Sequence, residues 1–103
     1  MEINTFGNSM NPTIRDKSVC RCVVTGNYEK EDIVSYWVLR ENKIINILHR
    51  IHNKEGEQYI TLGDNNGRLD EPITEEQIIC EVPNIKTKLI NVILNKIRWL
   101  KPK

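Results

Sequence analysis

The run Ile33-Val-Ser-Tyr-Trp-Val-Leu39 is followed by the polar segment Arg40-Glu-Asn-Lys43 and then by Ile44-Ile-Asn-Ile-Leu-His-Arg-Ile51. Both apolar runs are rich in β-branched and aromatic residues, which fit the pleated surface of a sheet. The polar segment between them has the length and composition of a hairpin loop. The pattern therefore predicts two antiparallel strands around which the rest of the chain is arranged.

Similar short runs lie on both sides of this hairpin, and turn signals separate them. The runs are Val19–Val24, Gln58–Leu62 and Gln77–Val82. The segment His52-Asn-Lys-Glu-Gly56 is polar and ends in glycine, so it is predicted to be a turn. Short strands with short connections favour an antiparallel, mainly β fold.

The segment 86–103 has a different character. Its apolar residues recur at intervals of three and four, which is typical of an amphipathic helix; they are Leu89, Ile90, Ile93, Leu94 and Ile97. Six basic residues and no acidic residue lie in the same segment. The sequence predicts a basic amphipathic C-terminal helix, which either lies in a membrane interface or covers an open side of the β body.

The length of 103 residues favours one domain that spans 1–103. The formal net charge of +1 gives no electrostatic basis for binding nucleic acid. This average hides an asymmetry. Because six of the 15 basic residues lie in 86–103, nine basic residues face 14 acidic ones in the rest of the chain, which therefore carries a net charge of −5.

Export and anchoring signals are not recognisable in the sequence. No apolar run reaches the roughly 20 residues that span a bilayer, and the N-terminus lacks the pattern of a signal peptide. The expectation is a chain without a cleaved signal or a spanning helix, with the cytoplasm as the default location. An odd number of cysteines suits a reducing compartment. Cys20 and Cys22 are interpreted as core thiols rather than as a pair of metal ligands.

Two side chains are candidates for a nucleophile and a base. Ser9 lies between Gly7 and Pro12, where no regular helix forms, so a tight turn can present its hydroxyl. A single serine of this kind is more often an ordinary turn residue. His49 shares a strand face with three isoleucines, so it is either a satisfied core histidine or a base in a partly dry site; these isoleucines are Ile45, Ile47 and Ile51.

Asp64 and Asp70 flank a turn-prone loop, where carboxylates usually stabilise the turn itself. In the functional interpretation, one of them accepts the second N–H of His49 while His49 takes the proton of Ser9. On a continuous strand, His52 faces the side opposite His49, so the spacing offers no two-histidine metal site. We therefore expect no metal and no organic cofactor.

Four segments carry these residues along the chain: Gly7-Asn-Ser-Met-Asn-Pro12, Asp32-Ile-Val-Ser-Tyr36, His49-Arg50, and Gly63-Asp-Asn-Asn-Gly-Arg-Leu-Asp70. With the residues that flank them, as Gly7–Thr13, Glu31–Tyr36, Leu48–Ile51 and Thr61–Asn66 with Asp70, they resemble in order and spacing the successive conserved boxes of type I signal peptidases. The broader group also includes the self-cleaving repressor peptidases. The resemblance implies a small, antiparallel, barrel-like β catalytic core, here followed by the predicted C-terminal helix.

The resemblance also implies a role for each site residue. Ser9 would be the nucleophile, and His49 would be the base, as in the archaeal, endoplasmic-reticulum and spore-former branch that has histidine in place of lysine. Asp70 is favoured to orient the histidine, and Asp64 to act as a structural or auxiliary carboxylate. Backbone N–H groups around Ser9 and Met10 are the expected oxyanion donors. Lys43 is about 20 Å from the histidine along the strand and cannot replace it.

The implied function is that of a serine endopeptidase that cleaves a leader or signal peptide from a precursor polypeptide, bound extended beside a strand edge. One alternative is a self-cleaving repressor-like peptidase, although such proteins normally use lysine and carry a DNA-binding domain. Another is a non-catalytic peptide-binding module on the same fold. The sequence departs from the family in two places: eight residues precede Ser9 where a membrane-spanning segment is usual, and Asp16-Lys17-Ser18 replaces a common Gly-Asp pair.

Overall fold

A computed structural model describes residues 1–83, which form a mainly β structure of two antiparallel sheets. The predicted helix over 86–103 lies outside the described residues. The strands are β1 (Glu2–Asn4), β2 (Val19–Arg21), β3 (Ile33–Arg40), β4 (Lys43–Glu55), β5 (Gln58–Leu62), β6 (Ile73–Thr74) and β7 (Ile78–Val82), and a 3-10 helix spans Glu75–Gln77. None of the helices in residues 1–83 is long and apolar enough to cross a membrane.

The predicted hairpin is confirmed as β3 and β4. The two strands pair without a break from Ile33 opposite Arg50 to Arg40 opposite Lys43. Their two-residue turn requires positive φ angles, which are 51° at Glu41 and 62° at Asn42. The register places His49 opposite Val34, with the side chains of both buried.

β4 is longer than the sequence pattern indicates, so the predicted turn at 52–56 is wrong. The strand continues to Glu55, and only Gly56 and Glu57 form the turn to β5. The register between β4 and β5 shifts between Ile51 and Asn53, which marks a bulge at His52. The polar residues that suggested a turn lie instead on the exposed end of a paired strand.

The larger sheet has the strand order β6-β5-β4-β3-β7, and β1 and β2 form a separate two-stranded sheet. Both sheets are open, so residues 1–83 do not close into the barrel that the resemblance implied. The run Val19–Val24 is only partly a strand, because β2 ends at Arg21 and Val23 makes a single bridge to Glu81. This bridge joins the small sheet to β7 of the large one.

Apolar clusters cover both faces of the large sheet. Ile33 packs in one cluster with Met10 from the loop after β1. The next residue, Val34, packs in the other cluster with Tyr36, because successive side chains of a strand point to opposite faces. The first cluster fills the space between the two sheets, so it determines how the loop that carries Ser9 lies against the strand that carries His49.

The expectation of reduced core thiols is wrong for Cys22, which forms a disulfide with Cys80. The bridge between Val23 and Glu81 brings the neighbouring cysteines together, with their Cα atoms 5.5 Å apart. Cys20 is a free, buried thiol, and burial raises its pKa. A disulfide of this kind is favoured by an oxidising rather than a reducing compartment.

Candidate active site

Three predicted site residues lie in one chain of hydrogen bonds. His49 Nε2 is 3.0 Å from Ser9 Oγ, and His49 Nδ1 is 2.6 Å from Asp70 Oδ2. An ionised carboxylate can only accept, so Nδ1 carries the proton that is donated to Asp70. In a neutral imidazole, Nε2 then has a free lone pair and accepts the hydrogen of the Ser9 hydroxyl. The arrangement is that of a serine, a base and a carboxylate that orients the base.

Asp70 is held by two further hydroxyl groups that the sequence interpretation did not assign. Thr61 Oγ1 donates to Asp70 Oδ2 at 2.7 Å. The single hydrogen of Tyr36 Oη is shared between Thr61 Oγ1 at 2.8 Å and Asp70 Oδ2 at 3.3 Å. The contacts that His49, Thr61 and Tyr36 make with Asp70 converge on one oxygen, so they fix the direction in which the carboxylate faces the imidazole.

These contacts keep Asp70 ionised. Burial by itself would raise the pKa of Asp70, but the hydrogen bond and charge of His49 and the hydroxyls of Thr61 and Tyr36 outweigh it, so the pKa lies below its ordinary value of 3.8. Burial and the nearby Asp70 carboxylate in turn raise the pKa of Tyr36, which therefore remains a neutral donor.

The loop after β5 holds the loop that carries Ser9. Asn65 N donates to the Ser9 carbonyl oxygen at 2.8 Å, and Asn65 Nδ2 donates to the Asn8 carbonyl oxygen at 3.1 Å. Next to them, Asp64 N donates to the sulfur of Met10 at 3.4 Å. Met10 is buried, so its side chain anchors the serine in the core while the backbone is held from the other side.

Gly63 makes this close approach possible. A Cβ atom at this position would lie 2.7 Å from the Ser9 carbonyl oxygen, 2.7 Å from Asn66 Nδ2 and 3.0 Å from His49 Nε2. Distances below 3.0 Å are too short for a methyl group beside rigid backbone. Glycine is therefore required here for space, because any side chain would displace the loop that carries Ser9 or the ring of His49.

Asp64 does not contact the histidine. Its two carboxylate oxygens accept from Arg50 Nε and Nη2, both at 2.9 Å, and the Thr13 hydroxyl donates to the same carboxylate. Arg50 also donates to the Glu31 carbonyl oxygen at 2.8 Å. Both members of this ion pair are buried. The structure thus places Asp70 against the imidazole and gives Asp64 a structural position behind it.

The site opens into a groove of about 720 Å³. Two segments contribute most of the residues that line it, one from Ile3 to Gly7 and one from Asn46 to His49. β4 pairs with β5 only from Arg50 onward, so the edge of Lys43–His49 that faces away from β3 has no partner strand within residues 1–83. Unpaired strand edges present N–H and C=O groups that an extended peptide can bind.

The backbone beside the serine has two N–H groups without an acceptor within residues 1–83. In the part of the chain that the structure describes, the backbone N–H groups of Ser9 and Met10 donate to no protein acceptor. Residues 1–83 also contain no group of three or more His, Cys, Asp or Glu side chains that could hold a metal ion. The chain of hydrogen bonds from Ser9 through His49 to Asp70 can support proton transfer and nucleophilic attack by a hydroxyl.

Sequence reasoning missed Tyr36, Thr61 and the steric role of Gly63. All three residues lie inside the segments that carry the family resemblance, but no role was assigned to them. Alternation along β3 places Tyr36 on the same face as Val34, the residue opposite His49, and this pattern could have assigned Tyr36 to the site.

No family model, curated protein or solved structure matches the chain.

Proposed function

We propose that this protein is a serine endopeptidase of the signal peptidase type, which cleaves a leader or signal peptide from a precursor polypeptide. The observation that carries the proposal is the hydrogen-bonded chain from Ser9 through His49 to Asp70. In this proposal, the two sheets form the catalytic core of such an enzyme. An isolated turn serine or core histidine would not require this alignment of three groups.

Each residue has a definite task in the proposed reaction. His49 Nε2 takes the proton of Ser9 Oγ as the oxygen attacks the carbonyl carbon of the scissile bond. Asp70 stabilises the imidazolium that forms. The same proton then passes to the leaving amine as the C–N bond breaks, and a water molecule activated by His49 hydrolyses the acyl-enzyme.

The groove supplies the rest of the proposed machinery. Backbone N–H groups of Ser9 and Met10 would donate to the developing oxyanion. The substrate would lie extended along the unpaired edge of β4, with small side chains next to the scissile bond, as the family resemblance implies. Lys43 stands six residues from His49 on the same strand, about 20 Å away, so histidine rather than lysine is the proposed base. The reaction needs no metal or organic cofactor.

Peripheral contact with a membrane is a separate part of the proposal. The basic segment 86–103 would bind an anionic bilayer through its lysine and arginine side chains. Sedimentation of the full chain with phosphatidylglycerol vesicles, but not with phosphatidylcholine vesicles, would support this contact. Unchanged sedimentation after deletion of the segment would contradict it.

The central test is cleavage of a peptide that carries an Ala-x-Ala site. We expect Ser9→Ala and His49→Ala each to lower kcat by about 10³-fold or more, since removal of either group abolishes nucleophilic attack. The matched controls are Thr25→Ala, which removes an exposed hydroxyl away from the groove, and His52→Ala, which removes an imidazole outside the hydrogen-bonded chain. Circular dichroism and thermal unfolding establish that every variant is folded.

The outcomes separate the competing functions. If Ser9→Ala cleaves as fast as the parent, the nucleophile is wrongly assigned. If the parent binds peptide but never cleaves it, the protein is a peptide-binding module. Mass spectrometry of the protein incubated alone identifies a self-cleaving peptidase, because such a protein cuts its own chain in the absence of any substrate.

A further inference from the structure

The groove beside the proposed catalytic residues is locally basic, although the body of the protein is acidic. Residues 1–83 carry nine basic and 14 acidic side chains. The lining of the groove reverses this balance, because it includes Arg15 and Arg40 and only one carboxylate, Asp70. That carboxylate is already bonded to His49, so it does not neutralise the arginines.

Both arginines are available to a ligand. Arg15 and Arg40 are exposed, and within residues 1–83 neither forms an ion pair with a carboxylate. Glu41 and Lys43, which neighbour Arg40 at the tip of the hairpin, are not among the residues that line the groove. An arginine at the wall of a peptide groove can bind a carboxylate through two parallel hydrogen bonds.

From these observations we infer that the groove selects peptides with acidic side chains, which bind to Arg40 at the end of β3 and to Arg15 in the loop between β1 and β2. The inference rests on the proposed function, because it identifies a substrate class for the same site. It adds a charge preference, carried by two named residues, to the selection of small side chains next to the cut.

The strand register gives the spacing of the distant contact. Arg40 pairs with Lys43, which is six residues from His49 along β4. At about 3.3 Å per residue this corresponds to roughly 20 Å. A peptide that is extended along the unpaired edge therefore reaches Arg40 with a side chain about six positions from the bond that Ser9 attacks.

The loop between β1 and β2 carries the second arginine. The Arg15 carbonyl oxygen accepts from Thr5 Oγ1 at 3.0 Å and from Ser18 Oγ at 2.6 Å. The bond from Thr5 ties the backbone of Arg15 to the end of β1, which is part of the same groove wall, and the bond from Ser18 ties it to the residue before β2. Its guanidinium therefore extends from an anchored backbone, whereas the side chain of Arg40 extends from the end of β3.

The test measures binding apart from cleavage. Fluorescein-labelled peptides of about 14 residues, long enough to reach about six positions to either side of an Ala-x-Ala core, carry Glu, Gln or Lys at single positions. The Ser9→Ala variant binds them without turnover, and anisotropy gives the Kd. We expect Glu to bind about three- to fivefold more tightly than Gln at the favoured positions, and Lys to bind more weakly than Gln.

Charge variants locate the preference. Arg40→Gln, made in the Ser9→Ala background, should remove the Glu preference about six positions from the scissile bond, and Arg15→Gln should remove it at a different position of the peptide. Arg21→Gln is the matched control, because Arg21 is an exposed arginine on β2 that does not line the groove. The preference should also weaken as salt is added, since exposed charge pairs are screened.

Three results would overturn the inference: equal binding of Glu and Gln peptides, a preference for Lys, or loss of the preference in Arg21→Gln to the same extent as in the groove variants. Failure of the proposed function is a different result. If the peptides bind with the expected preference and the parent never cleaves them, the charge selection stands and the peptidase assignment falls.

Discussion

At the scale of single residues, the carboxylates of Asp64 and Asp70 lie in one loop region but have different partners. Asp70 contacts the imidazole and is held by two hydroxyls, whereas Asp64 binds a buried arginine through both of its oxygens. Breaking a buried ion pair leaves an uncompensated charge, while altering the partner of a catalytic histidine disturbs its tautomer. Substitution of the two residues should therefore affect different properties of the protein.

Asp70→Asn should lower kcat by about 10³ to 10⁴, because an amide no longer favours the proton on Nδ1 or stabilises the imidazolium. The effect on stability depends on pH. Since the folded pKa of Asp70 is depressed, its carboxylate stabilises the fold above the ordinary value of 3.8, and this contribution is lost as the pH falls through the folded pKa. Chemical denaturation gives the free energy of unfolding at each pH, and the values of the parent and the variant should converge as the pH falls through the acid range. A difference between the two that stays constant in acid would contradict this.

Asp64→Asn should mainly reduce stability, by about 3 kcal/mol, because it leaves Arg50 buried without a full carboxylate partner. The double variant Arg50→Met with Asp64→Leu should lose less stability than the single variant, since it removes both buried charges together. Urea unfolding gives the two values. A stability loss in Asp70→Asn at neutral pH that exceeds the loss in Asp64→Asn would reverse the assignment of the two carboxylates.

At the scale of elements, the hairpin could be predicted and the contacts between loops could not. The runs 33–39 and 44–51 alternate and are apolar, so their pairing follows from local pattern. The extension of β4 to Glu55 was missed because polar residues on an exposed strand end look like a turn. The site residues were found through the order of their segments. Thr61 was missed because a threonine within a strand is usually there for its β propensity.

Gly63→Ala tests the contact between the two loops. The added methyl group would meet the Ser9 carbonyl oxygen and approach His49 Nε2, so we expect kcat/KM to fall by about 10²-fold through displacement of intact catalytic groups. Gly56→Ala is the control, because it strains a turn with a φ of 62° and meets no atom within 4 Å. It should lose stability and retain activity. Full activity in Gly63→Ala would show that the close contact between the two loops is not needed for cleavage.

At the scale of the whole molecule, the site is built across two sheets. Ser9 follows β1 of the small sheet, and His49 belongs to the large one. The disulfide between Cys22 and Cys80, the bridge between Val23 and Glu81, and the shared apolar cluster hold the sheets together. The sequence could not reveal this pairing, because three cysteines do not indicate which two meet.

Loss of the disulfide should lower stability by about 4 kcal/mol, from loop-closure entropy over its 58-residue separation. The measurement is thermal unfolding with and without dithiothreitol, which is oxidised as it reduces the cystine to two thiols. Cys20→Ala should remain sensitive to the reductant, whereas Cys22→Ala with Cys80→Ala should not. The prediction is contradicted if the parent, after brief unfolding and refolding in the reductant, unfolds at the same temperature with and without dithiothreitol.

The residues of the site lie far apart in the sequence, so they emerge from the ribosome at different times during translation. A ribosome releases residue 9 long before residues 49 and 70, and the second half of the cross-link at residue 80 emerges later still. Folding of a nascent domain proceeds as its segments become available. In the proposed peptidase, Ser9 therefore lacks the proposed base until His49 has emerged, and the hydrogen-bonded chain cannot form before residue 70 is synthesised.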